Sequence, residues 1–500
     1  MQKRELSIIA ALVVLSTALL YLSIAATRLT NANYGSDGGD LLAAVLTQGV
    51  PHPTGYPSYI LLGIIFQFIP ISTPVFRAVL ASLIPASLAA GLLTGWIGHM
   101  IRSSTFLALS VSALTGIAWG IAPILFSQAV IIEVHGLQAL VVVSVLWWIT
   151  LNLEYAKGTD PKWLLGLSFL IGLGVGNHLT ILLLAPVGLL ALALMVRRSR
   201  SWRLLFAQIS LTIAGMLVYV YLPIRAQAYP AINWGNPQTW QGFFWETGAV
   251  PYRTFLFSAS PMEVVERIRS TTGLLMDQFG ALGLVAGIIG MIQYQFVTKW
   301  LRWGLIWIFL VFFTFTVIYN ARDSMVYIIP AVMVYAIWIG LACLTLWELK
   351  WKHFPVGSVL VGVLAISILI RVPATLTRLD PRSQDQPASY AEQLMDTAPF
   401  NAIVYTSSDE DSFPLWYYHF GLKERSDLRI VVLPLTQFVW YQQNLVHIYP
   451  SLQFPPVYSQ DLPNADWGKQ IALLNPELPV CNTRLSSESQ TGISYQCSTP

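Results

Sequence analysis

Charged residues are scarce in this chain. Only 11% of its 500 residues are Asp, Glu, Lys or Arg, whereas 55% are hydrophobic, and the mean hydropathy is +0.60. Soluble domains carry about 25% charged residues, so most of this chain is expected to lie in lipid. The net charge is only +3 and no stretch is strongly basic, which argues against nucleic acid as a partner.

Cysteines and cofactor-binding motifs are also few. Three cysteines exclude a disulfide framework. Cys343 lies in an apolar run, but Cys481 and Cys497 share the polar C-terminal region and can form one bridge if that region is exported. The sequence has no Walker motif, GxGxxG, HExxH or CxxC pair, which argues against ATP-driven, dinucleotide and zinc chemistry. We therefore predict no resident cofactor and no metal ligands, without excluding a divalent metal ion.

Long hydrophobic runs, in contrast, fill the first three quarters of the sequence. About eleven of them approach the 20 or so residues that a bilayer core requires. The first follows MQKREL; it is too long for a signal-peptide core and has no convincing cleavage site, so we expect a retained helix. The predicted spans are 7–27, 76–98, 105–125, 136–153, 162–177, 178–196, 204–222, 272–294, 302–319, 325–347 and 354–372.

Basic residues next to these spans alternate as the positive-inside rule requires. If the N-terminus is cytoplasmic, so are the connections that hold Arg102; Lys157 and Lys162; Arg197, Arg198, Arg200 and Arg203; Lys299 and Arg302; Lys350 and Lys352. The extracytoplasmic side then receives 28–75, 126–135, the Asn177-His178 turn, 223–271, 320–324 and the tail. The unusual polar residues therefore collect on that side.

The tail from about 374 has the composition of a soluble domain. NAIVYTSS and LRIVVLPL have the pattern of strands and flank a short helix around FPLWYYHFG. We therefore predict an all-α polytopic membrane domain over 1–373, followed by a small extracytoplasmic α/β domain over 374–500.

The first external loop, 28–75, has the strongest candidates for chemistry. Asp37, Asp40 and His52 lie there beside two apolar stretches, 41–48 and 58–69, expected as helices on the membrane surface. A carboxylate at this position could act as a general base on an acceptor hydroxyl. The alternatives are a helix-capping box formed by Asp37 and Asp40 and an ordinary loop position for His52.

Other external loops add candidate pocket residues. Glu133 and His135 lie at the mouth of one span, and Asn177 and His178 lie in a tight turn. Ionisable groups at this depth are costly and indicate function by default. For Glu133 and His135, an interfacial pair that contacts water is an equally good explanation, whereas for Asn177 and His178 a satisfied turn is the commoner one.

Two arginines could bind phosphate. Arg225 follows the seventh span and Arg322 lies in the turn YNARDSM. A guanidinium group makes bidentate, charge-assisted bonds to phosphate, and the aromatic segment with Trp234 favours a site near Arg225. Lipid anchoring, or an Arg322–Asp323 pair, is the alternative. The acids 409–411 of the tail are better explained by an N-cap at Asp411 than by a cation site.

Several of these motifs resemble one family. The segment Asp37-Gly-Gly-Asp40, with His52-Pro-Thr-Gly-Tyr-Pro57 after it, is similar to the opening of the transmembrane protein 260-like family, as are the Glu133-Val134-His135 loop, GLGVGNHLT, YLPIRA with NWGNP, and SSDEDSFPLWYY. The resemblance implies a GT-C-type membrane glycosyltransferase with an inverting mechanism and its catalytic carboxylate in the first external loop. Asp40 stands where many relatives have Glu, and His135 where many have Tyr.

We therefore expect transfer of a hexose, with mannose as one candidate, from a polyprenyl-phosphate donor to a hydroxyl of a protein, lipid or glycan. Asp37 or Asp40 would take the proton, and Arg225 and Arg322 would bind the donor phosphate. The expected location is a bacterial plasma membrane. The alternatives are a transporter or lipid flippase, which would favour midplane charges and repeated halves, and a non-catalytic scaffold.

Overall fold

The computed structural model of the chain describes residues 2–101, 105–155, 160–292, 297–347, 356–463, 465–485 and 493–498. Arg102, Lys157, Lys350 and Lys352, which contributed to the predicted topology, lie outside the described residues.

Nine helical segments in these ranges are long and apolar enough to cross a membrane. They correspond to nine of the eleven predicted spans. They are Arg4–Ile24, Pro74–Ile101, His135–Glu154, Leu179–Ser199, Trp202–Ala226, Pro261–Ile292, Lys299–Ile318, Ser324–Trp347 and a segment that begins with the helix Val356–Leu369.

The other two predicted spans are helical but differ from simple crossings. The span expected at 105–125 is a pair of helices, Phe106–Gly120 and Pro123–Ala129, bent by 63°. Pro123 has no amide hydrogen with which to continue the first helix. The helix Pro161–Val175 has only 15 residues and ends at the glycine-rich GLGVG. By length and composition, the described residues thus contain nine candidate spans, or ten if the bent pair is one, against about eleven predicted.

Burial separates central helices from those that face lipid. The apolar part of Ser324–Trp347 is 94% buried, whereas that of Trp202–Ala226 is 17% buried and that of Arg4–Ile24 is 22% buried. A helix that is hydrophobic on all sides needs either protein or lipid around it. The exposed leucines and isoleucines of the outer helices are therefore the lipid-facing surface.

Small residues bring neighbouring helices close together. At the crossing of Pro161–Val175 and Trp202–Met216, a Cβ on Gly172 would lie 2.1 Å from the carbonyl oxygen of Thr212. A Cβ on Gly215 would likewise lie 2.3 Å from that of Phe169. Such contacts are typical of membrane helices, because van der Waals packing replaces the hydrophobic effect within lipid.

Short helices build the external side. The two apolar stretches expected at the membrane surface form the helices Gly38–Thr47 and Pro57–Gln67, and Trp240–Thr247 follows the seventh span. The surface placement is wrong for Gly38–Thr47, because its residues 38–45 are all buried. The C-terminal domain covers this helix, which a hydropathy pattern does not reveal.

The C-terminal region forms a mixed sheet with helices. Its helices are Val372–Leu379, Gln386–Thr397, Asp409–Trp416, Val439–Ile448 and Trp467–Leu474. The strands β1 (Ile403–Thr406), β2 (Arg429–Val432), β3 (Val480–Leu485) and β4 (Ile493–Ser498) lie in the order β2-β1-β3-β4. β1 and β2 are the two predicted strands, and they pair in parallel with Ile403 opposite Arg429.

The remaining strands join the sheet from the end of the chain. β3 is parallel to β1 and antiparallel to β4, and the pair Cys481 and Cys497 forms a disulfide across them. The predicted α/β character of the tail is confirmed. The boundary at 373/374 stays a prediction.

Candidate active site

The helix Gly38–Thr47 positions the two aspartates of the first external loop differently. Asp37 is the residue before the helix, and its side chain makes no capping hydrogen bond. Asp40 lies in the first turn and is completely buried. The capping box proposed from their spacing is therefore not formed, and both carboxylates are directed to other partners.

Asp40 holds the loop that carries His52. Its Oδ2 accepts a hydrogen bond from the backbone nitrogen of His52 at 2.9 Å and one from ring Nδ1 at 2.6 Å. Its Oδ1 accepts a bond from Trp234 Nε1 at 3.2 Å. Asp40 thus has three hydrogen-bond donors and no exposed surface.

Asp37 lies on the other side of the same imidazole. Its Oδ2 is 3.5 Å from His52 Nε2, and 31% of its side chain is exposed, against 6% for His52. Burial lowers the pKa of His52, but the charge of Asp37 and the hydrogen bond and charge of Asp40 outweigh this and raise it to about 9. His52 is thus a cation at neutral pH.

The pKa of the Asp37 carboxyl depends on the same surroundings. Burial raises its pKa above the usual range, the positive charge of His52 opposes this rise, and the charge of Asp40 adds to it. A carboxylate with a raised pKa is a stronger base than one in water. Asp37 is therefore the aspartate that combines access with basicity.

A polar cavity of about 20 Å³ lies beside Asp37 and His52. Three further external segments contribute to it, and they bring together most of the predicted pocket residues. Its other lining residues are Leu41, Tyr56, Glu133, Val134, His135, His178, Asp323 and Tyr327. The cavity holds about one water molecule, so a sugar can enter only after its walls separate.

The acidic groups of this wall are shifted toward the neutral form. Burial, followed by the charges of Asp37 and Asp323, raises the pKa of Glu133 well above its usual range. Burial and the charge of Asp37 raise the pKa of Asp323 to about 6. Among the carboxylates that line the cavity, Asp37 lies against the cation His52.

The C-terminal domain forms a roof over the site through the helix Asp409–Trp416, called here the roof helix. The ring of Phe413 stacks on His52 with centroids 6.4 Å apart and planes 11° apart. A Cβ on Gly39 would lie 2.5 Å from the carbonyl oxygen of Phe413, so this contact requires glycine. The site is therefore assembled from both parts of the chain.

The roof helix also corrects the predicted N-cap. Ser408 is the N-cap residue and Asp411 is the third helical position of a capping box. Asp411 accepts hydrogen bonds from the backbone nitrogens of Ser407 and Ser408. The acids thus do serve capping, but the cap begins three residues earlier than expected.

The two predicted phosphate-binding arginines lie away from the cavity lining. Arg225 is exposed in part and donates from Nε to the carbonyl oxygen of Gln48 at 2.7 Å. Arg322 is 84% exposed and pairs with Glu410 of the roof helix at 2.5 Å, not with Asp323. Their predicted role in donor binding stays a prediction.

The remaining candidates support the cavity from behind. Asn177 is completely buried and donates to the carbonyl oxygen of Val134 at 3.2 Å. Trp234 donates a hydrogen bond from Nε1 to Asp40 Oδ1. Among the described residues, no group of three or more His, Cys, Asp or Glu side chains is arranged to hold a metal ion.

Sequence reasoning missed several neighbours of the site. Asp323, Tyr327 and Phe413 come from segments far apart in the sequence. Of these, the sequence indicated only Asp323, because it follows Arg322 in the YNARDSM turn.

Glu246 is completely buried with no hydrogen-bond partner for either oxygen among the described residues. Burial raises its pKa well above the usual range, and the charge of Asp40 adds to this, so Glu246 is a neutral carboxylic acid behind Asp40.

Comparisons with known proteins agree with this architecture. Residues 37–203 match the family model described as the Protein O-mannosyl-transferase TMEM260 N-terminal domain, and residues 387–467 match the TMEM260-associated domain 2. The second match contains the roof helix.

Two curated relatives carry the same name. The Protein O-mannosyl-transferase TMEM260 of Mus musculus is 23% identical over 456 residues, which are 84% of this chain and 62% of the relative. That of Dictyostelium discoideum is 22% identical over 497 residues, which are 86% of this chain and 58% of the relative. The chain thus spans about six tenths of the length of these relatives.

Solved structures of ArnT from Cupriavidus metallidurans share the fold. The structure bound to undecaprenyl phosphate has a TM-score of 0.57 and 12% identity, covering 95% of this chain and 92% of that one. The apo structure has a TM-score of 0.53 and 14% identity, with 96% and 92% covered. The resemblance inferred from the motifs is therefore confirmed: two segments of the chain are similar to the TMEM260 proteins, and the chain is a multi-pass membrane protein with the GT-C fold that it shares with ArnT.

Proposed function

We propose that this chain is a membrane-integral glycosyltransferase that moves a hexose from a polyprenyl-phosphate donor to an acceptor hydroxyl on the extracytoplasmic side. The name of the curated relatives supports mannose as the sugar and a protein as the acceptor. The solved relative bound to undecaprenyl phosphate supports a polyprenyl carrier. The observation that carries the proposal is the position of Asp37, which is accessible, basic and held beside the cation His52.

The reaction needs one proton transfer and one displacement. Asp37 takes the proton of the acceptor hydroxyl as its oxygen bonds to the anomeric carbon. The bond from that carbon to the phosphate oxygen breaks, its electron pair leaves with the phosphate, and the anomeric configuration inverts. Asp40 acts as a positioning residue, because it orients His52 and its charge keeps the imidazole protonated.

We propose that transfer needs no resident metal ion. His52 already supplies a fixed positive charge next to the base, and the departing phosphate carries its negative charge away as a stable anion. Transfer that continues unchanged in excess EDTA is the expected result, and restoration of a lost activity by Mg²⁺ or Mn²⁺ would overturn this part.

The proposed orientation places the N-terminus in the cytoplasm and the C-terminal domain outside. The Cys481–Cys497 disulfide supports it, because such bonds persist in oxidising compartments. A bacterial plasma membrane stays a prediction.

The test compares Asp37→Asn with the matched surface variant Asp466→Asn, since Asp466 is exposed and pairs with the exposed Lys469. Both are assayed in proteoliposomes with radiolabelled polyprenyl-phosphate mannose and membrane proteins of a deletion strain as acceptors. We expect Asp37→Asn to lower transfer about 100-fold or more and Asp466→Asn to leave it unchanged. Wild-type transfer by Asp37→Asn would remove the proposed base.

A further inference from the structure

Two adjoining cavities meet at His135 and Tyr327, and His178 lines the polar one. The polar cavity that contains Asp37 shares His135 and Tyr327 with a second, smaller cavity of about 10 Å³. The surface of the second cavity is mainly apolar, and Phe312, Val326 and Ile329 contribute to it from the segments Lys299–Ile318 and Ser324–Trp347. His135 and Tyr327 thus lie where a polar, acid-lined space gives way to an apolar space between helices.

The rings at this junction have unused hydrogen-bonding groups. The centroids of His135 and His178 are 5.6 Å apart, and that of Tyr327 is 5.7 Å from the first and 5.5 Å from the second. His135 is 7% exposed, and its ring makes no hydrogen bond to any residue in the described ranges. Because the ring lines both cavities, its free hydrogen-bonding groups are available to a ligand there.

A chain of hydrogen bonds orients His178. Its Nδ1 accepts a hydrogen bond from the backbone nitrogen of Thr180 at 3.2 Å and lies 2.8 Å from the Thr180 hydroxyl. A ring nitrogen that accepts a bond carries no proton, so the proton of His178 is on Nε2. His178 therefore presents an N–H donor on the side of the ring that faces away from Thr180.

The same chain continues to residues that sequence analysis singled out. Gln138 Nε2 donates to the Thr180 hydroxyl oxygen at 3.3 Å, and Asn177 Nδ2 donates to Gln138 Oε1 at 3.4 Å. The Thr180 hydroxyl, having accepted one bond, can give its own proton to His178. The motif Asn177-His178-Leu179-Thr180 is thus explained as a device that fixes one tautomer of His178.

We propose that His178 and His135 bind the phosphate of the lipid-linked donor, an inference that rests on the proposed function. A lipid-linked sugar has its phosphate between a polar sugar and an apolar chain, and these histidines lie at the matching boundary. The sugar then extends toward Asp37, and the prenyl chain extends between the helices Lys299–Ile318 and Ser324–Trp347. The phosphate accepts the Nε2–H of His178 and an N–H of His135.

The carboxyls nearby are compatible with an anion at this place. Glu133 and Asp323 line the polar cavity, and both have raised pKa values. A bound phosphate raises them further, because a negative neighbour favours the neutral carboxyl. Protonation of these groups lessens their repulsion of the phosphate and adds hydrogen-bond donors.

A binding experiment separates the phosphate from the lipid chain. The probes are decaprenyl phosphate and its uncharged analogue decaprenol, each titrated into the full-length protein in nanodiscs and followed by native mass spectrometry. We expect His178→Ala and His135→Ala each to weaken decaprenyl phosphate binding about tenfold or more while decaprenol binding stays within twofold. The exposed histidine in His447→Ala serves as the matched control and should change neither affinity.

Conservative variants guard against misfolding. His178→Gln keeps a side-chain N–H and should restore most of the phosphate affinity, whereas Thr180→Val releases the tautomer and should give an intermediate loss. Unchanged phosphate binding in His178→Ala and His135→Ala overturns the proposal, as does an equal loss of decaprenol binding. A tenfold loss in Arg225→Ala or Arg322→Ala with none in the histidine variants would assign the phosphate to the arginines instead.

Failure of the phosphate site and failure of the proposed sugar transfer give different results. A wild-type protein that binds decaprenyl phosphate through the histidines but transfers no sugar keeps the phosphate site and refutes the glycosyltransferase. Sugar transfer by the wild type, together with unchanged phosphate binding in the histidine variants, keeps the glycosyltransferase and refutes the phosphate site.

Discussion

Asp40 accepts two hydrogen bonds from His52 through a single carboxylate oxygen, one from the backbone nitrogen and one from the ring. The ring therefore cannot turn without breaking the bond that also holds its loop. This pairing fixes the opposite ring nitrogen beside Asp37 and supports the proposed roles, in which Asp40 positions His52 and Asp37 is the base.

Asp40→Asn is expected to lower transfer about 10- to 100-fold, less than Asp37→Asn. The buried amide leaves His52 without its charged partner, so the imidazole loses both orientation and positive charge. Trp234→Phe, which removes only the 3.2 Å bond to the other oxygen, should cost no more than a few-fold. Steady-state transfer rates with kcat and KM measured separately check this, and a larger loss for Trp234→Phe than for Asp40→Asn would contradict it.

The pH dependence of kcat/KM should depend on His52. Asp37 must be ionised to act as a base, so activity falls as pH drops through its raised pKa. In His52→Gln the neighbouring positive charge is lost, the pKa of Asp37 rises further, and the acid limb should move to higher pH by about one unit or more. Profiles between pH 5 and 9 measure the shift; an acid limb that stays in place or moves down would show that His52 does not act on Asp37.

Stability should also respond to His52. Its pKa is about 9 in the folded protein and about 6.5 when unfolded. A raised folded pKa gives stability that is full below pH 6.5 and is lost as pH rises through 9. Thermal melts in detergent at pH 7 and pH 10 should show a drop that is smaller in His52→Gln, and equal drops in both proteins would count against the pairing.

Gly39→Ala tests the contact between the membrane domain and the roof helix. Alanine favours a helix over glycine by about 1 kcal/mol, but its Cβ would lie 2.5 Å from the carbonyl oxygen of Phe413. Because backbone atoms cannot move away without disturbing the roof helix, we expect the free energy of unfolding to fall by about 1–3 kcal/mol and transfer to be impaired. The control is Gly38→Ala, whose Cβ would meet Ile132 at 3.4 Å; it should be tolerated, and equal melting temperatures for the two variants would refute the tight contact.

The Cys481–Cys497 disulfide allows tests of the stability and the orientation of the C-terminal domain. Cys481 and Cys497 are separated by 16 residues, and a loop of that size contributes about 3 kcal/mol. Cys481→Ser with Cys497→Ser should therefore lower the melting temperature of the C-terminal domain, as should reduction of the wild type. Maleimide labelling of intact cells checks the orientation, since free thiols at both positions in wild-type cells would be inconsistent with an exported domain.

Hydropathy predicted most of the fold because lipid imposes a local rule. Each crossing must satisfy its own backbone as a helix, so apolar runs such as 325–347 are recognisable without tertiary information. The rule fails where a proline or glycine interrupts a run, as at Pro123 and Gly176, since the bend there depends on neighbouring helices. Strands β3 and β4 were missed because short polar strands lack such a signal.

The sequence by itself determined that this is a multi-pass membrane protein with an α/β tail, since both conclusions depend on composition and local periodicity. It also identified the loop with Asp37, Asp40 and His52. Only the tertiary structure distinguishes the surroundings of the two aspartates, because Asp40 is buried against His52 and Trp234 while Asp37 keeps part of its side chain exposed. The partners that make this difference lie far away in the sequence, and no local pattern records which side chains a fold brings together.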